Sequence, residues 1–304
     1  MDQQSWLTER FEENRPRLRG VAYRVLGSLS EAEDAVQEAW LRLNRIDAAT
    51  VDNLGGWLTT VVSRVCLDML RSRKSRREEP IGAQVTEPSV VGGEGADPEG
   101  EAVLADSVGV ALLVVLDMLT PAERLAFVLH DLFGMPFDEI GSIVGRSPAA
   151  ARQLASRARR RVRGSPAPSD AGRARQREVV EAFLRAVRAG DLEGLLAVLD
   201  PDAVVRIDGA ARIAAGAADA ADTARELRGA STWAKQMIAL SRGLRFVQPA
   251  LIDGSVGLIL APRGKLSRIL TFTFANAKVT RVEVIGDPAR LRELDIAVPW
   301  LRSV

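Results

Sequence analysis

Residues 136–164 read Pro136-Phe137-Asp138-Glu139-Ile140-Gly141-Ser142-Ile143-Val144-Gly145-Arg146-Ser147-Pro148-Ala149-Ala150-Ala151-Arg152-Gln153-Leu154-Ala155-Ser156-Arg157-Ala158-Arg159-Arg160-Arg161-Val162-Arg163-Gly164. Phe137, Ile140, Ile143 and Val144 recur at helical spacing, which predicts a short amphipathic helix. Gly145 suits the left-handed residue that ends it. Ser147 then caps a second helix, with Pro148 in its first turn. Two short helices joined by a tight turn containing Gly form a helix-turn-helix pattern.

The second helix, from Pro148 to about Arg163, has two faces. Ala151, Leu154, Ala155, Ala158 and Val162 form an apolar stripe that packs on the first helix. Ala149, Arg152, Gln153, Ser156, Arg157 and Arg160 lie largely on the other side. Between Ser142 and Ser169 there are seven arginines and no carboxylate, an unbalanced charge that suits a polyanion. Small residues at the helix start (Ser147, Ala149, Ala150) let the backbone approach a major groove, where Arg152, Gln153 and Ser156 are the base-reading candidates. Arg157, Arg159, Arg160, Arg161 and Arg163 read as phosphate contacts. The plainer alternative is a solvated basic helix behind a Gly turn.

Working outward, 304 residues suggest two or three domains. With 47% hydrophobic and 27% charged residues the chain has ample material for cores. The formal net charge is +1, so binding to nucleic acid must come from local patches. Cys66 is the one cysteine, which excludes an internal disulfide and a thiolate metal site. His130 is the one histidine, so neither a metal nor a cofactor is expected. The start, Met1-Asp2-Gln3-Gln4, is not that of a signal peptide. The longest apolar run, 110–116, is too short to span a bilayer. A cytoplasmic protein without a membrane partner is the expectation.

The first part of the chain reads as helical. Residues 6–26 place Leu7, Phe11, Leu18, Val21, Ala22 and Val25 inward, and Gly27-Ser28 break the pattern. Ser30 opens a capping box with Glu33 on a helix running to about Leu43. Its apolar stripe is Ala32, Ala35, Val36, Ala39, Trp40 and Leu43. The outer face, with Glu31, Asp34, Gln37, Glu38 and Arg42, reads on composition as solvated. A polar loop over 46–56 precedes a helix over 57–73, with Leu58, Val61, Val62, Val65, Met69 and Leu70 inward. Trp57 reads as a core or interface aromatic. Residues 71–77 carry five positive charges, fitting either nucleic acid or the negative end of a helix. Residues 78–106 carry eight carboxylates and no Lys or Arg. They form a flexible linker that either spaces the basic elements or covers them.

Residues 107–119 are predicted helical through Val110, Leu113, Val114 and Leu116. Thr120-Pro121-Ala122-Glu123 is a strong helix start, and that helix reaches Phe133 with Leu125, Phe127, Val128 and Leu132 inward. Residues 165–172 are a second linker. Beyond it come helices over 175–189 and 191–199, a strand over 203–208 and a helix over 219–241. Strands follow over 244–252, 254–261, 267–275 and 278–285, with hairpin turns at Asp253-Gly254 and Asn276-Ala277. Helices before an antiparallel meander predict an α+β domain with a curved antiparallel sheet folded over helices.

Two helical modules joined by a linker, the second ending in a helix-turn-helix, resemble the sigma subunits of bacterial RNA polymerase. Within them, residues 6–164 are most similar to the extracytoplasmic-function group. The resemblance rests on Ala32-Glu33-Asp34-Ala35-Val36-Gln37-Glu38-Ala39-Trp40-Leu41, on the 57–73 helix, and on Thr120-Pro121-Ala122-Glu123-Arg124 before the helix-turn-helix. It implies two all-α modules: sigma region 2 at 1–77, the acidic linker at 78–106, and sigma region 4 at 107–164. It further implies that Asp34, Gln37, Glu38 and Leu41 face the clamp helices of core polymerase. Asn53, Trp57, Arg64, Arg71, Arg73 and Lys74 would hold the promoter element nearest the start site, where an unstacked base is captured. The 147–163 helix would read the distal element as duplex. The implied partners are core RNA polymerase, through its clamp helices and flap, and promoter DNA.

After a linker at 165–173, residues 174–304 resemble SnoaL-like domains of the nuclear-transport-factor-like cone fold. Such an extension marks the sigma J-like subgroup. Asp208-Gly209-Ala210-Ala211-Arg212 stands where that subgroup has Asp-Gly-Gly-Gly-Lys. Asp287-Pro288-Ala289-Arg290-Leu291 stands where it has Asn-Pro-Asp-Lys-Leu. The resemblance implies a regulatory pocket or motif at Asp208, Gly209, Arg212, Asp287, Pro288 and Leu291, and leaves open whether a small molecule is its ligand. The plainer reading is a turn after a strand and a helix start.

The resulting expectation is a non-enzymatic initiation factor whose C-terminal domain modulates it. The alternative is a helix-turn-helix repressor or activator with a ligand-sensing or catalytic cone domain. Residues 171–304 contain no histidine and Asp208 has no paired carboxylate at a catalytic spacing, so catalysis is not expected.

Overall fold

A computed structural model describes residues 3–46, 51–78, 109–164, 170–213, 224–239 and 246–300. Most of the acidic linker, and 165–169 of the second linker, lie outside the described residues. The chain forms two compact units, one holding residues 1–108 and 116–159, the other 109–115 and 160–301.

In the first unit, α1 (Gln3–Leu26), α2 (Leu29–Leu43) and α3 (Leu54–Glu78) pack through the apolar positions that their periodicity predicts. Gly27 takes φ 74 and turns the chain from α1 into α2. Ser30 does not open a capping box. The helix begins at Leu29 with Ser28 in the cap position, so Ser30 falls inside the first turn. Glu33 is drawn instead to Arg19 at 2.7 Å and Arg15 at 3.5 Å. α3 begins three residues before Trp57 because Asn53 caps it, accepting the Gly56 N–H at 2.9 Å. A Cβ on Gly56 would lie 2.8 Å from the Asn53 amide, so the close cap needs glycine. α3 also runs past Arg73, since nothing in the basic run that follows breaks a helix.

α4 (Val110–Asp117) is buried on every side over 110–116, not on one face. α5 (Pro121–Phe127) opens with the expected capping box of Thr120 and Glu123. It then widens into a π-helical turn, Val128–Leu132, instead of continuing to Phe133. α6 (Phe137–Val144) and α7 (Pro148–Arg163) are the helix-turn-helix, with Gly145 left-handed at φ 70 between them. A Cβ on Gly141 would sit 2.8 Å from the Arg146 carbonyl oxygen, so this second glycine lets the turn close over α6.

The second unit contains α8 (Asp170–Ala189), α9 (Leu192–Val198), β1 (Leu199–Ile207), α10 (Gly209–Ile213), β2 (Arg225–Arg228) and α11 (Ala230–Ala239). β3 (Val247–Ile252), β4 (Ser255–Leu260), β5 (Arg268–Ala275), β6 (Lys278–Ile285), α12 (Pro288–Glu293) and β7 (Ile296–Ala297) complete it. The seven strands form one sheet in the order β2-β1-β6-β5-β4-β3-β7. It is mixed: β1 runs parallel to β6, with Val205 opposite Val282, and the other neighbours are antiparallel. Both expected hairpin turns form with two successive left-handed residues, Asp253 and Gly254, then Asn276 and Ala277. The helix expected over 219–241 is only α11 among the described residues, and 225–228 are a strand. Gly229 at φ 93 separates the two, and four residues pairing with β1 are too few to show a period. β7, two residues against β3, was likewise not expected. The core of this unit is largely aliphatic around three aromatics, with Phe183 stacked on Trp233 at 5.2 Å and Phe272 edge-on to Phe183 at 5.5 Å.

Candidate nucleic-acid interface

The second helix of the pair, α7, is built from its caps outward. Ser147 Oγ accepts the Ala150 N–H at 3.2 Å. Ala151, Ala155, Ala158 and Val162 are buried, and Leu154 is half-buried. Ser147, Ala149, Arg152, Gln153, Ser156, Arg157 and Arg160 are exposed, with Ala150 at the margin. The Arg152 guanidinium lies over the Phe137 ring, 5.3 Å from its centroid. Arg157, itself exposed, pairs with the mostly buried Glu123 carboxylate at 3.2 Å. Arg159, read above as a phosphate contact, is instead bonded to Asp131 at 2.7 Å. That bond raises the guanidinium pKa above its ordinary value and spends the charge inside the module.

On α2, Asp34, Gln37 and Leu41 are exposed at a three- and four-residue spacing, so they share one stripe. Leu41 is 45% exposed, an apolar side chain offered to solvent among polar neighbours. Glu38, half-buried, is held by Arg42 at 2.8 Å.

The residues expected at the proximal promoter element separate into groups. Arg64 and Arg71 are exposed, and Arg71 stands 3.9 Å from Asp68. Trp57 is half-buried. Arg73 is tied to Glu31 and donates to the Leu26 carbonyl at 3.2 Å, so it braces α3 against α1 and α2. The Lys74 side chain lies outside the described part of the structure. Asn53, besides capping α3, opens on a cleft of ≈ 210 Å³ with Gly55, Gly56 and Thr59. The opposite wall is Phe133, Gly134, Met135, Pro136 and Glu139, with Arg17 also lining it. Arg17, Thr59 and this wall were missed in the sequence, because nothing local connects 53–59 with 133–139.

A second feature without a sequence signal lies between α3 and α5. Arg124 is 3% exposed and bonds to Asp117 at 3.1 Å. Burial lowers its pKa, with Asp117 opposing and Arg73 adding to the shift. Burial pushes the Cys66 thiol up to about 12, leaving it protonated and inert near neutrality.

In the second unit, one carboxylate gathers both candidate regulatory stretches. Asp208 accepts the Ala211 N–H at 2.7 Å, the Gly286 N–H at 2.9 Å and the Asp287 N–H at 3.1 Å. Asp287 caps α12 through the Arg290 N–H at 2.8 Å, with Pro288 in the first turn and Leu291 buried. A Cβ on Gly286 would lie 2.6 Å from the Ala211 Cα, so the backbones meet too closely for a side chain. Gly209 and Arg212 belong to α10, which Asp208 caps. Asp208 therefore ties the fold together. Among the described residues no cluster of His, Cys, Asp and Glu has the makings of a metal site. No described helix is long and apolar enough to cross a membrane.

Residues 10–76 match the family Sigma-70 region 2, and residues 109–162 match Sigma-70, region 4. The chain is 39% identical over 295 residues to the ECF RNA polymerase sigma factor SigJ of Mycobacterium tuberculosis, covering 91% of each. It is 34% identical over 294 residues to the probable ECF RNA polymerase sigma factor SigI of the same organism, covering 97% of this chain and 98% of that one. A solved structure, the extracytoplasmic function sigma factor SigJ of M. tuberculosis, is similar at 34% identity with a TM-score of 0.43, covering 93% of this chain and 98% of that chain.

Proposed function

This chain belongs to the extracytoplasmic-function (ECF) group of RNA polymerase sigma factors, and from that premise we propose how its elements divide the work of initiation. The α2 stripe of Asp34, Gln37, Leu41 and the neighbouring Glu38 docks on the clamp helices of core polymerase. Asn53, Trp57, Arg64, Arg71 and the basic end of α3 hold the promoter element nearest the start site. Arg152, Gln153 and Ser156 of α7 read base edges of the distal element, while Arg157 and Arg160 contact phosphates. The protein is not an enzyme; it directs the polymerase to promoters.

The observation that carries this reading is the exposed, carboxylate-poor face of α7 beginning at a capped helix start, where base edges are met in helix-turn-helix proteins. Run-off transcription tests it: full-length protein added to core polymerase yields promoter-specific transcripts, and duplex binding without core polymerase is weak. Tight duplex binding by the protein alone, with no stimulated transcription, would mark a helix-turn-helix repressor instead.

The C-terminal domain modulates the second module in cis. Support comes from the two ends of the 109–162 segment, both built into the unit that contains the sheet. At one end the Ala111 N–H donates to Gln248 Oε1 at 3.0 Å. At the other the Val298 N–H donates to the Val162 carbonyl at 2.7 Å. Removing residues 171–304 therefore alters promoter-dependent transcription; unchanged output across several promoters would reject the modulation.

A further inference from the structure

The π turn after α5 inserts a residue relative to α-helical register, a form that recurs at functional sites. Here it carries His130 and Asp131, and both engage the helix-turn-helix. Asp131 takes Arg159 of α7 at 2.7 Å. His130 is bonded through Nδ1 to the Met135 carbonyl at 3.1 Å, which fixes the ring. That ring stacks on Phe137 with centroids 3.9 Å apart. Over the same Phe137 ring lies the Arg152 guanidinium, 5.3 Å from the centroid. Arg152 and Arg159 are seven residues apart, about two turns along one side of α7. No ion pair to Arg152 occurs among the described residues. Phe137 is only half-buried, unlike Ile140, Ile143 and Val144 of the same helix, so its ring serves more than the core.

We propose that His130 and Phe137 are positioning residues for promoter readout, their stacked rings holding the Arg152 guanidinium at the base-reading end of α7. The proposal rests on the assignment of Arg152 to a base edge made above. A guanidinium is planar and weakly hydrated, so it lies on an aromatic face while its N–H edge stays free. That free edge is what pairs bidentately with the O6 and N7 of guanine. Held in place beforehand, the side chain loses less freedom when DNA arrives. Leucine at 137 would fill the same apolar space and offer no face.

The test uses holoenzyme assembled from full-length protein and core polymerase. Its binding is measured on promoters in which each base pair of the distal element is changed in turn. Arg152→Ala abolishes discrimination at one position; if no position responds, Arg152 reads no base and the proposal falls with that assignment. At the position so identified, Phe137→Leu lowers discrimination about threefold, and Phe137→Tyr restores it. His130→Leu produces a loss at the same position alone. Discrimination left intact in Phe137→Leu at the position Arg152→Ala abolishes would overturn the proposal. So would an equal loss of affinity at every position, which is the mark of a merely structural residue.

Discussion

Arg124 shows how a single side chain is read by its surroundings rather than its type. Its neighbours are Asp117, itself 52% exposed, and the cation of Arg73. Asp117→Ala leaves a buried guanidinium without its carboxylate and beside a like charge. The expected cost is about 2–3 kcal/mol, the buried-pair penalty discounted for screening at the exposed carboxylate. Arg124→Met removes the charge and leaves a carboxylate already in water, at about 1 kcal/mol or less. Urea unfolding at constant m-value compares them; a larger loss in Arg124→Met would reverse the account. None of this was legible in the sequence, where Arg124 is one of several charges following a helix cap. Burial and contacts made in the folded chain decided it, as they did for Arg73 with Glu31 and Arg159 with Asp131.

Among the elements, those specified locally were the legible ones. The helix-turn-helix announces itself through Gly145, Ser147 and Pro148, each of which acts within one turn of its own position. The Thr120 capping box and the Asp253-Gly254 hairpin follow the same logic. β2 and β7 depend on strands that fold in from elsewhere, so their short sequences carry little of their own. Within α7 the faces were legible but the assignment of individual arginines was not, which yields a prediction. Arg160→Gln removes an exposed cation, so DNA affinity falls alike on all promoters and the salt slope drops by about 1. Arg159→Gln leaves the salt slope unchanged and lowers the unfolding midpoint, because it breaks the bond to Asp131. Binding to the holoenzyme target over a range of salt concentrations separates the two; a drop in slope for Arg159→Gln would show its bond to Asp131 yielding to phosphate.

For the molecule as an initiation factor, the decisive relation lies inside the first unit. Asn53, Gly55, Gly56 and Thr59, at the start of α3 that we propose holds the proximal promoter element, share a cleft with Phe133, Met135 and Glu139 at the start of the helix-turn-helix. On that proposal, DNA held at the start of α3 would need the space that Phe133, Met135 and Glu139 line, and the two modules are expected not to engage a promoter together while packed this way. Core polymerase, proposed above to dock on the exposed stripe of Asp34, Gln37 and Leu41, is then expected to part them. The native cysteine assists the measurement: Cys66 is buried with its thiol pKa pushed up to about 12, so it does not react with dyes near pH 7. Exposed Asp52 and Arg146 changed to cysteine carry a donor and an acceptor. Energy transfer is high in the free protein and falls when core polymerase is added, before any DNA. Transfer that stays high in the holoenzyme, with transcription intact, would show that both promoter elements are read from the packed arrangement.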